Sequence, residues 1–585
     1  MLNPGQQQAV RAVGHCMICA CPGSGKTTVL KFRADHLLNQ NPGSRLLAVT
    51  FTSDAASELE ERIRSQNPKL GDRLICGTFH SLAKRQIERA GKKVNLRAQP
   101  AAAILKAAYS EVVTNKQAYP FEDVASRVEY FKTHIDHQFG DASADPAEEV
   151  YKRYKDMMAE RGFHDFSDLL TIATKGMMKA KDHPDYIAPY PVDFLLGDEW
   201  QDTDDIQARW VGMHIENGTR VTIVGDDDQS IYGFRFACGY QGMVNFQKLT
   251  DAAQINLDTT YRCANEILAP AAKLIANNTE RLVKHLVTEN KAQGQVRVLR
   301  FPDRDAEVSG LVNAIAGNGD FGNWAVLGRT NSQLERIELG LQEAGIPCTR
   351  SGRTPFWELE LPALFLSILK SVAAGDMAGI DALLRRCGVG ESVLTQINGR
   401  VMTSRPGAMG RFLNEPDDTY PPVVRRLIGV LPTWLSMAKD ADRADRIALG
   451  LNLFMSRNLV HTAANARAAA DRANSLLASC ETMLARLNGS LKQRLHQIQR
   501  QAEGTEEESD AVRLMTLHSS KGLEFKHVWI IGCEAGVIPS AQSPIDEERR
   551  LFYVGMTRAK LNLFLSYQRN KSVQASPFLA EAGLV

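Results

Sequence analysis

The sequence predicts an α/β protein in which parallel strands alternate with helices. Short apolar runs of strand length are each followed by a helical pattern or a polar loop, and such successive units favour parallel sheets. Two long stretches carry mainly helical patterns, residues 84–190 and about 373–508. We therefore expect sheets interrupted by helical insertions. The strand-like runs are residues 17–20, 46–52, 74–82, 192–197, 221–226, 296–301, 324–328 and 561–567.

Length and composition limit the possible classes. A chain of 585 residues is too long for one hydrophobic core and suggests about four domains. Hydrophobic content of 44% and charged content of 23% are typical of globular protein and exclude a fibre or a disordered chain. The net charge of +1 means that any polyanion must be bound by a local basic surface.

The cysteines and the hydropathy of the sequence indicate the cellular environment in which the protein is expected. Ten cysteines are spread along the chain and no secretory leader precedes them, so we expect a reducing, cytoplasmic environment. No apolar run approaches the ~18 residues of a membrane span, so no membrane partner is expected.

Residues 20–27, Ala-Cys-Pro-Gly-Ser-Gly-Lys-Thr, are the first candidate site. An apolar run precedes them and a helical pattern follows, which is the context of a phosphate-binding loop. Gly23 and Gly25 would let backbone N–H groups surround a triphosphate, Lys26 would reach its β- and γ-phosphates, and the Thr27 hydroxyl would bind Mg²⁺. The alternative is a glycine-rich turn that happens to contain a lysine.

Asp198 and Glu199 follow a buried apolar strand, where α/β sheets place their ligands. After a phosphate-binding loop, we expect Asp198 to hold Mg²⁺ and Glu199 to polarise the attacking water. The alternative is a helix N-cap followed by a solvated acid.

The segment after the run at residues 221–226 combines an amide, an aromatic ring and a cation. Gln229 could sense a γ-phosphate, and Phe234 beside Arg235 is the combination that stacks a base and binds its phosphate. Core packing of Phe234 and a surface ion pair of Arg235 are the alternatives. Near the N-terminus, Gln6 could bind an adenine edge.

The second half repeats the pattern of a sheet followed by helices. Residues 387–392 resemble a glycine hairpin that can approach a duplex phosphate through backbone N–H groups. Residues 383–500 contain 17 Lys/Arg and 9 Asp/Glu, a local basic excess that suits a duplex-facing surface. A solvated helical face is the alternative.

Taken together, the motifs resemble the UvrD/Rep-type branch of superfamily 1 helicases, and they occur in family order along the chain. The blocks that carry the resemblance are Gln6, residues 20–27, 48–52, 77–81, 198–202 and 225–233, Tyr261 with Arg262, and residues 514–525 and 547–559.

The resemblance implies two tandem RecA-like parallel-sheet P-loop domains, each with a mainly helical insertion domain. The first RecA-like domain is expected at residues 1–85 and 191–254, with its insertion at 86–190. The second is expected at residues 255–372 and 509–585, with its insertion at 373–508.

The family's residue roles carry over to matching positions. Tyr261 would stack on adenine, Glu524 would lie near the ribose, and Arg262 and Arg558 would reach the γ-phosphate. The implied catalytic residues are Lys26, Asp198, Glu199, Gln229, Arg262 and Arg558. The implied nucleotide contacts are Gln6, Gly23, Ser24, Gly25, Lys26, Thr27, Thr28, Tyr261 and Glu524, with Thr27 and Asp198 on the metal. The implied DNA contacts are Thr52, Phe79, His80, Phe234, Arg235, Asn331 and His518.

Single residues permit other interpretations and some depart from the family pattern. Either arginine taken alone could form a salt bridge, and Tyr261 could be a half-buried core ring. The departures are Ala20 for the usual first glycine of the loop, Gly197 for a bulkier apolar residue, Phe234 for Trp, Phe236 for Gly and Thr260 for Asn.

The resemblance implies an ATP- and Mg²⁺-dependent helicase that moves 3′ to 5′ on single-stranded DNA and unwinds duplexes, in repair, replication or recombination. Its expected partners are single-stranded DNA and the junction of single- and double-stranded DNA; protein partners are not specified. One alternative is an ATPase subunit of a larger DNA-processing or defence machine that needs a partner to unwind. Another is a nucleotide-gated DNA-binding protein without productive hydrolysis.

Overall fold

The computed structural model describes residues 2–66, 68–137, 145–350, 357, 359–402, 419–440, 443–460, 467–485, 487, 489–503, 510–569 and 573–585. Residue contacts divide the chain into two compact units: Met1–Ser351 with Asp510–Val585, and Gly352–Ser509. Within the described ranges, no helix is both long enough and apolar enough to cross a membrane.

The first sheet has six parallel strands in the order β3-β2-β4-β5-β1-β6. Its strands are β1 Cys16–Ala20, β2 Leu46–Thr50, β3 Leu74–Thr78, β4 Phe194–Gly197, β5 Arg220–Gly225 and β6 Ala253–Leu257. Alternate residues of β1 belong to different cores, Met17 to one and Ile18 to the other, so both faces are covered. The helices around it are Pro4–Arg11, Lys26–Gln40, Ser53–Gln66, Phe79–Arg89, Asp205–Glu216 and Gly239–Thr250.

The second sheet is also parallel, in the order β11-β12-β10-β13-β14-β9. A two-stranded pair, β7 Thr259–Thr260 and β8 Val287–Thr288, precedes it. Its strands are β9 Gln295–Phe301, β10 Trp324–Gly328, β11 Cys348–Arg350, β12 Val512–Thr516, β13 Phe525–Ile530 and β14 Ala559–Gln568. Its helices are Asn265–Ile275, Arg304–Asn318, Asn331–Glu343, Ile545–Met556 and Pro577–Glu581. The α/β class with parallel sheets is therefore confirmed.

The expected range of the first helical insertion, residues 86–190, contains three helices with a core of their own. Three helices share one core around Ala108, Val128 and Val150. The helix Phe166–Met177 instead packs in a core of the first sheet, and residue 86 lies within the helix Phe79–Arg89. The three helices are Ala98–Val112, Phe121–Thr133 and Pro146–Glu160.

The second compact unit is helical and begins earlier than residue 373. The helix Glu360–Ala374 contributes the buried side chains of Phe365 and Leu369 to the core of this unit. Segment 387–392 includes the turn between two helices, and Gly388 has φ of +81°, a value that favours glycine. The expected boundary at residues 508 and 509 lies outside the described residues. The helices are Glu360–Ala374, Ala378–Arg386, Glu391–Met402, Pro422–Met437, Ala444–Met455, Arg467–Ala485 and Leu491–Glu503.

Candidate functional site

A cleft of about 590 Å³ is lined by segments that follow β1, β2, β4 and β5 and by residues of the second sheet domain. These segments meet because the carboxyl ends of parallel strands lie at one edge of a sheet. The sequence-predicted residues that line it are Gly23, Ser24, Gly25, Lys26, Thr27, Thr28, Thr52, Glu199, Gln229, Arg262, Glu524 and Arg558. Thr52, predicted to contact DNA, is thus part of the cleft wall.

The loop at residues 20–27 has the backbone shape that a phosphate requires. Gly23 and Gly25 have φ of +71° and +80°, and a Cβ at Gly23 would lie 2.5 Å from the Cβ of Arg262. Gly25 is the N-cap of the helix Lys26–Gln40, so the positive end of that helix faces the cleft. The loop can therefore approach an anion closely through its backbone.

Gln6 holds this loop from behind. Its side-chain Nε2 donates to the carbonyl of Ser24 at 2.9 Å, and the Asn3 side chain donates to the hydroxyl of Tyr261 at 2.9 Å. Gln6, Thr28 and Tyr261 line a cavity of about 360 Å³ that shares Gly23 and Gly25 with the cleft. Tyr261 is 46% exposed, so its ring is available for stacking and is not a core residue.

Lys26 and Glu199 form an ion pair in the cleft. The ammonium of Lys26 lies 2.8 and 2.7 Å from the two carboxylate oxygens of Glu199. Burial alone would raise the pKa of Glu199, but the ammonium groups of Lys26 and Lys521 outweigh it and hold that pKa below its ordinary value. In this conformation Glu199 is an ionised acceptor occupied by lysine.

Asp198 follows β4 and accepts a hydrogen bond from the backbone N–H of Glu199 at 2.9 Å. Burial and the Glu199 carboxylate raise the pKa of Asp198 above its ordinary value. A nearby cation would offset both effects, and the hydroxyl of Thr27 offers a second hard oxygen at the start of its helix. The chemistry of these donors fits Mg²⁺.

Arg558 joins the two sheet domains across the cleft. Its Nη2 donates to Oε1 of Gln229 at 2.9 Å, while Nε and Nη1 donate to the carbonyls of Val554 and Leu523 at 2.9 and 3.0 Å. Burial and the nearby Arg262 lower the pKa of Arg558, but a guanidinium remains protonated at neutral pH. The cleft therefore contains a rigidly held cation that the second domain supplies.

Arg262 lies in the same cleft and is anchored differently. Its Nε donates to the carboxylate of Glu524 at 2.7 Å, and the ammonium of Lys560 lies 2.7 Å from the other oxygen of that carboxylate. In this conformation Arg262 thus forms a salt bridge with Glu524, which is the alternative interpretation of this arginine. The Glu524 side chain is 43% exposed, so this ion pair contributes little free energy and a bound anion could replace Glu524 as the partner of Arg262.

Of the expected DNA contacts, Phe234, Arg235 and His518 lie close together in the structure. Phe234 is 59% exposed, with its ring 5.9 Å from that of His518 and 5.6 Å from the guanidinium of Arg235. Asn331 is exposed at the start of the helix Asn331–Glu343. His80 lies against Phe166, another exposed ring, at 6.3 Å.

The expectation for Phe79 is wrong. Phe79 belongs to the strand-like run at residues 74–82, but the strand β3 ends at Thr78 and residues 79–82 begin the helix Phe79–Arg89. This places the ring of Phe79 in the core, 3% exposed and 5.9 Å from Trp210. A ring so placed is not available to stack on a base.

Comparison with known proteins then identifies the family. The model of the UvrD/REP helicase N-terminal domain matches residues 2–251, and that of the UvrD-like helicase C-terminal domain matches residues 255–389 and 454–570. The chain belongs to the UvrD/REP helicase family. It is similar to the ATP-dependent DNA helicase PcrA of Leuconostoc citreum, at 28% identity over 99% of this chain and 84% of the relative. It is also similar to two proteins of Escherichia coli K12. The ATP-dependent DNA helicase Rep is 29% identical over 96% of this chain and 90% of the relative, and DNA helicase II is 29% identical over 97% of this chain and 85% of the relative.

Three of the departures from the family pattern have distinct surroundings in the structure of this UvrD/REP-family chain. Phe236 has φ of +62°, a region in which glycine is unstrained. Its ring lies 5.4 Å from that of Tyr130 in the first helical insertion. Gly197 leaves room for Trp200, whose ring carbon would lie 3.2 Å from an added Cβ. The buried hydroxyl of Thr260 accepts from the backbone N–H of Arg262 at 3.2 Å.

Sequence reasoning assigned no role to Lys521 and Asp202. The Lys521 ammonium lies 2.7 and 2.6 Å from the two carboxylate oxygens of Asp202 and donates to the carbonyl of Gln229 at 2.8 Å. This is a second connection between the two sheet domains. Both residues lie within family motif blocks, but their separation of 319 positions offers no local signal of pairing.

Proposed function

We propose that this chain is an ATP-dependent DNA helicase that translocates 3′ to 5′ on single-stranded DNA and unwinds duplexes in repair, replication or recombination. The observation that carries the proposal is the hydrogen bond from Arg558 to Gln229, which joins the two sheet domains beside the phosphate loop. The names of the relatives support ATP and DNA as substrates, and the direction follows from the motif resemblance alone.

ATP would bind by displacing the ion pair in the cleft. Its phosphates compete with Glu199 for the ammonium of Lys26, and the backbone of residues 23–26 surrounds them. Once Lys26 turns to the phosphates, the Lys521 ammonium and the Gln201 amide remain to offset burial at Glu199, and the pKa of its carboxyl group rises. The carboxylate then becomes a stronger base for the attacking water.

Thr27 and Asp198 would hold Mg²⁺, which when bound neutralises phosphate charge. Arg558 is already held by two backbone carbonyls, so it can stabilise the charge that develops on the γ-phosphate with little reorganisation. Gln229 would orient the water or the phosphate while it accepts from Arg558.

Coupling to DNA follows from the position of Phe234 and His518. These rings belong to different sheet domains and lie 5.9 Å apart. A change in the cleft that moves one domain relative to the other therefore changes the space between the rings. Only such a difference in contacts between two states can convert ATP hydrolysis into movement along a strand.

The primary test is ATP turnover by Lys26→Ala with and without single-stranded DNA. Loss of the ammonium should lower kcat by about 100-fold or more, while DNA affinity stays close to that of the wild-type protein. Lys248→Ala is the control, because this lysine is exposed on the helix Gly239–Thr250. Wild-type turnover by Lys26→Ala would contradict the proposal, and a wild-type chain that binds DNA without turnover would favour a nucleotide-gated DNA-binding protein.

A second test compares duplexes with 3′ and 5′ single-stranded tails. The purified chain should separate the 3′-tailed duplex in the presence of ATP and leave the 5′-tailed duplex intact. The opposite preference would refute the direction. DNA-stimulated turnover without unwinding of either substrate would favour the ATPase subunit that needs a partner.

A further inference from the structure

A buried cluster of charged side chains lies beside Gln229. The ammonium of Lys284 lies 2.5 Å from Asp226, 2.7 Å from Asp227 and 2.9 Å from Asp228, and none of the four side chains is more than 1% exposed. The guanidinium of Arg281 donates to both carboxylate oxygens of Asp228 at 2.9 and 2.8 Å.

Three carboxylates so close together need a cation. Oxygens of the three aspartates lie within 4.8 Å of one another, a spacing that could also hold a metal ion. Here the Lys284 ammonium contacts all three and offsets part of their charge, and the Arg281 guanidinium offsets a further part at Asp228. Without it, mutual repulsion and burial would force at least one carboxyl group to bind a proton.

The cluster is connected to the cleft through one side chain. Asp226 accepts from Lys284 with Oδ1 and from the side-chain Nε2 of Gln229 with Oδ2. The other end of the Gln229 amide accepts from Arg558 at 2.9 Å. Because an amide has a donor end and an acceptor end, the Asp226 oxygen that accepts from Nε2 leaves Oε1 of Gln229 facing Arg558.

We propose that Lys284 is a positioning residue for ATP hydrolysis: it keeps Asp226 an acceptor and thereby fixes the orientation of Gln229 in the cleft. This inference rests on the proposed function. Lys284 itself is fully buried in the cluster and does not line the cleft. Its loss should therefore lower turnover and leave ATP affinity nearly unchanged, since the phosphate loop is not altered.

The test is the DNA-stimulated ATPase of Lys284→Met. We expect kcat to fall about 10-fold or more with less than about a 3-fold change in KM, because a misoriented amide affects the reacting state more than ground-state binding. Arg281→Met is the matched control. It also removes a cation from the cluster, but Arg281 contacts Asp228 and not Asp226, so kcat should stay within about 2-fold. Lys284→Arg should recover part of the lost turnover, since it restores the charge.

A double-mutant cycle distinguishes positioning from a general loss of stability. Gln229→Ala alone should lower kcat, and adding Lys284→Met to it should change kcat by less than about 2-fold, because the two act through the same amide. Independent, multiplying effects would overturn the inference, as would equal losses in Lys284→Met and Arg281→Met. If Lys284→Met does not fold, Lys284→Gln enters the same cycle. A wild-type chain without turnover would refute the proposed function and this inference together, whereas wild-type turnover with an unaffected Lys284→Met would refute the inference alone.

Discussion

Arg558→Ala tests whether the second sheet domain completes the ATP site. The substitution removes a cation that is 1% exposed and donates to Gln229 and to two backbone carbonyls. An arginine finger contributes about 10³ to 10⁵ to the rate of phosphoryl transfer, so kcat should fall by at least about 10³. This loss corresponds to about 4 kcal/mol in the activation free energy.

The effect on stability should be smaller and separable. The Val554 carbonyl also accepts from the Thr557 hydroxyl at 3.1 Å, so the acceptors that lose their donor from Arg558 are the Leu523 carbonyl and Oε1 of Gln229. Each such acceptor costs about 1–3 kcal/mol, and less at Gln229, which lines the cleft, because water can replace the donor there. Arg558→Lys keeps the charge but not the planar fork, and should recover only part of the activity.

The assay is steady-state ATP turnover at saturating single-stranded DNA, with nucleotide affinity measured separately. Arg300→Ala is the control, because Arg300 is exposed on the strand β9 of the same sheet domain. An Arg558→Ala protein that is folded and keeps more than about a tenth of wild-type kcat would refute the role of Arg558 as a finger, since that loss is under about 1.4 kcal/mol.

Three further predictions concern pH, DNA and the first helical insertion. Burial lowers the pKa of His214 to about 4 from 6.5, so the unfolded chain binds a proton that the folded chain excludes. The contribution of His214 to the free energy of unfolding should be fully present above pH 6.5 and should fall toward pH 4, by up to about 1.4 kcal/mol per pH unit. The thermal unfolding temperature of His214→Gln should therefore change less with pH than that of the wild-type protein. An equal change with pH in the two proteins would contradict this. Phe234→Ala should weaken single-stranded DNA binding about 5- to 150-fold in an anisotropy titration, because stacking contributes about 1–3 kcal/mol per base; unchanged affinity would exclude Phe234 as a stacking ring. Phe236→Ala should be less stable than Phe236→Gly by roughly 1–2 kcal/mol, because only glycine relieves the φ of +62°. Both Phe236 variants should increase hydrogen exchange in the helix Phe121–Thr133, which carries Tyr130, and protection equal to wild type would show that the ring does not hold that helix.

Much of the cleft could be predicted from local sequence. Glycines before Lys26 and acids after a buried strand indicate ligand contacts because parallel strands end at one edge of their sheet. The strands at residues 296–301 and 324–328 were likewise visible as apolar runs, and both are confirmed within β9 and β10. What the pattern could not distinguish was a ring in the core from a ring at the surface, as Phe79 and Phe234 illustrate.

By itself, the sequence determined the α/β class, the glycine-rich loop before a helix and many of the residue types that line the cleft, because these depend on short-range spacing along a strand, a turn and a helix. Only the tertiary structure decided the pairs that join distant segments: Arg558 with Gln229, Lys521 with Asp202, and Lys284 with the three aspartates. The physical reason is burial. A buried charge is stable only beside a partner of opposite charge or a hydrogen-bonding group. Tertiary packing decides which residue that partner is, and no periodic pattern in the sequence marks its position.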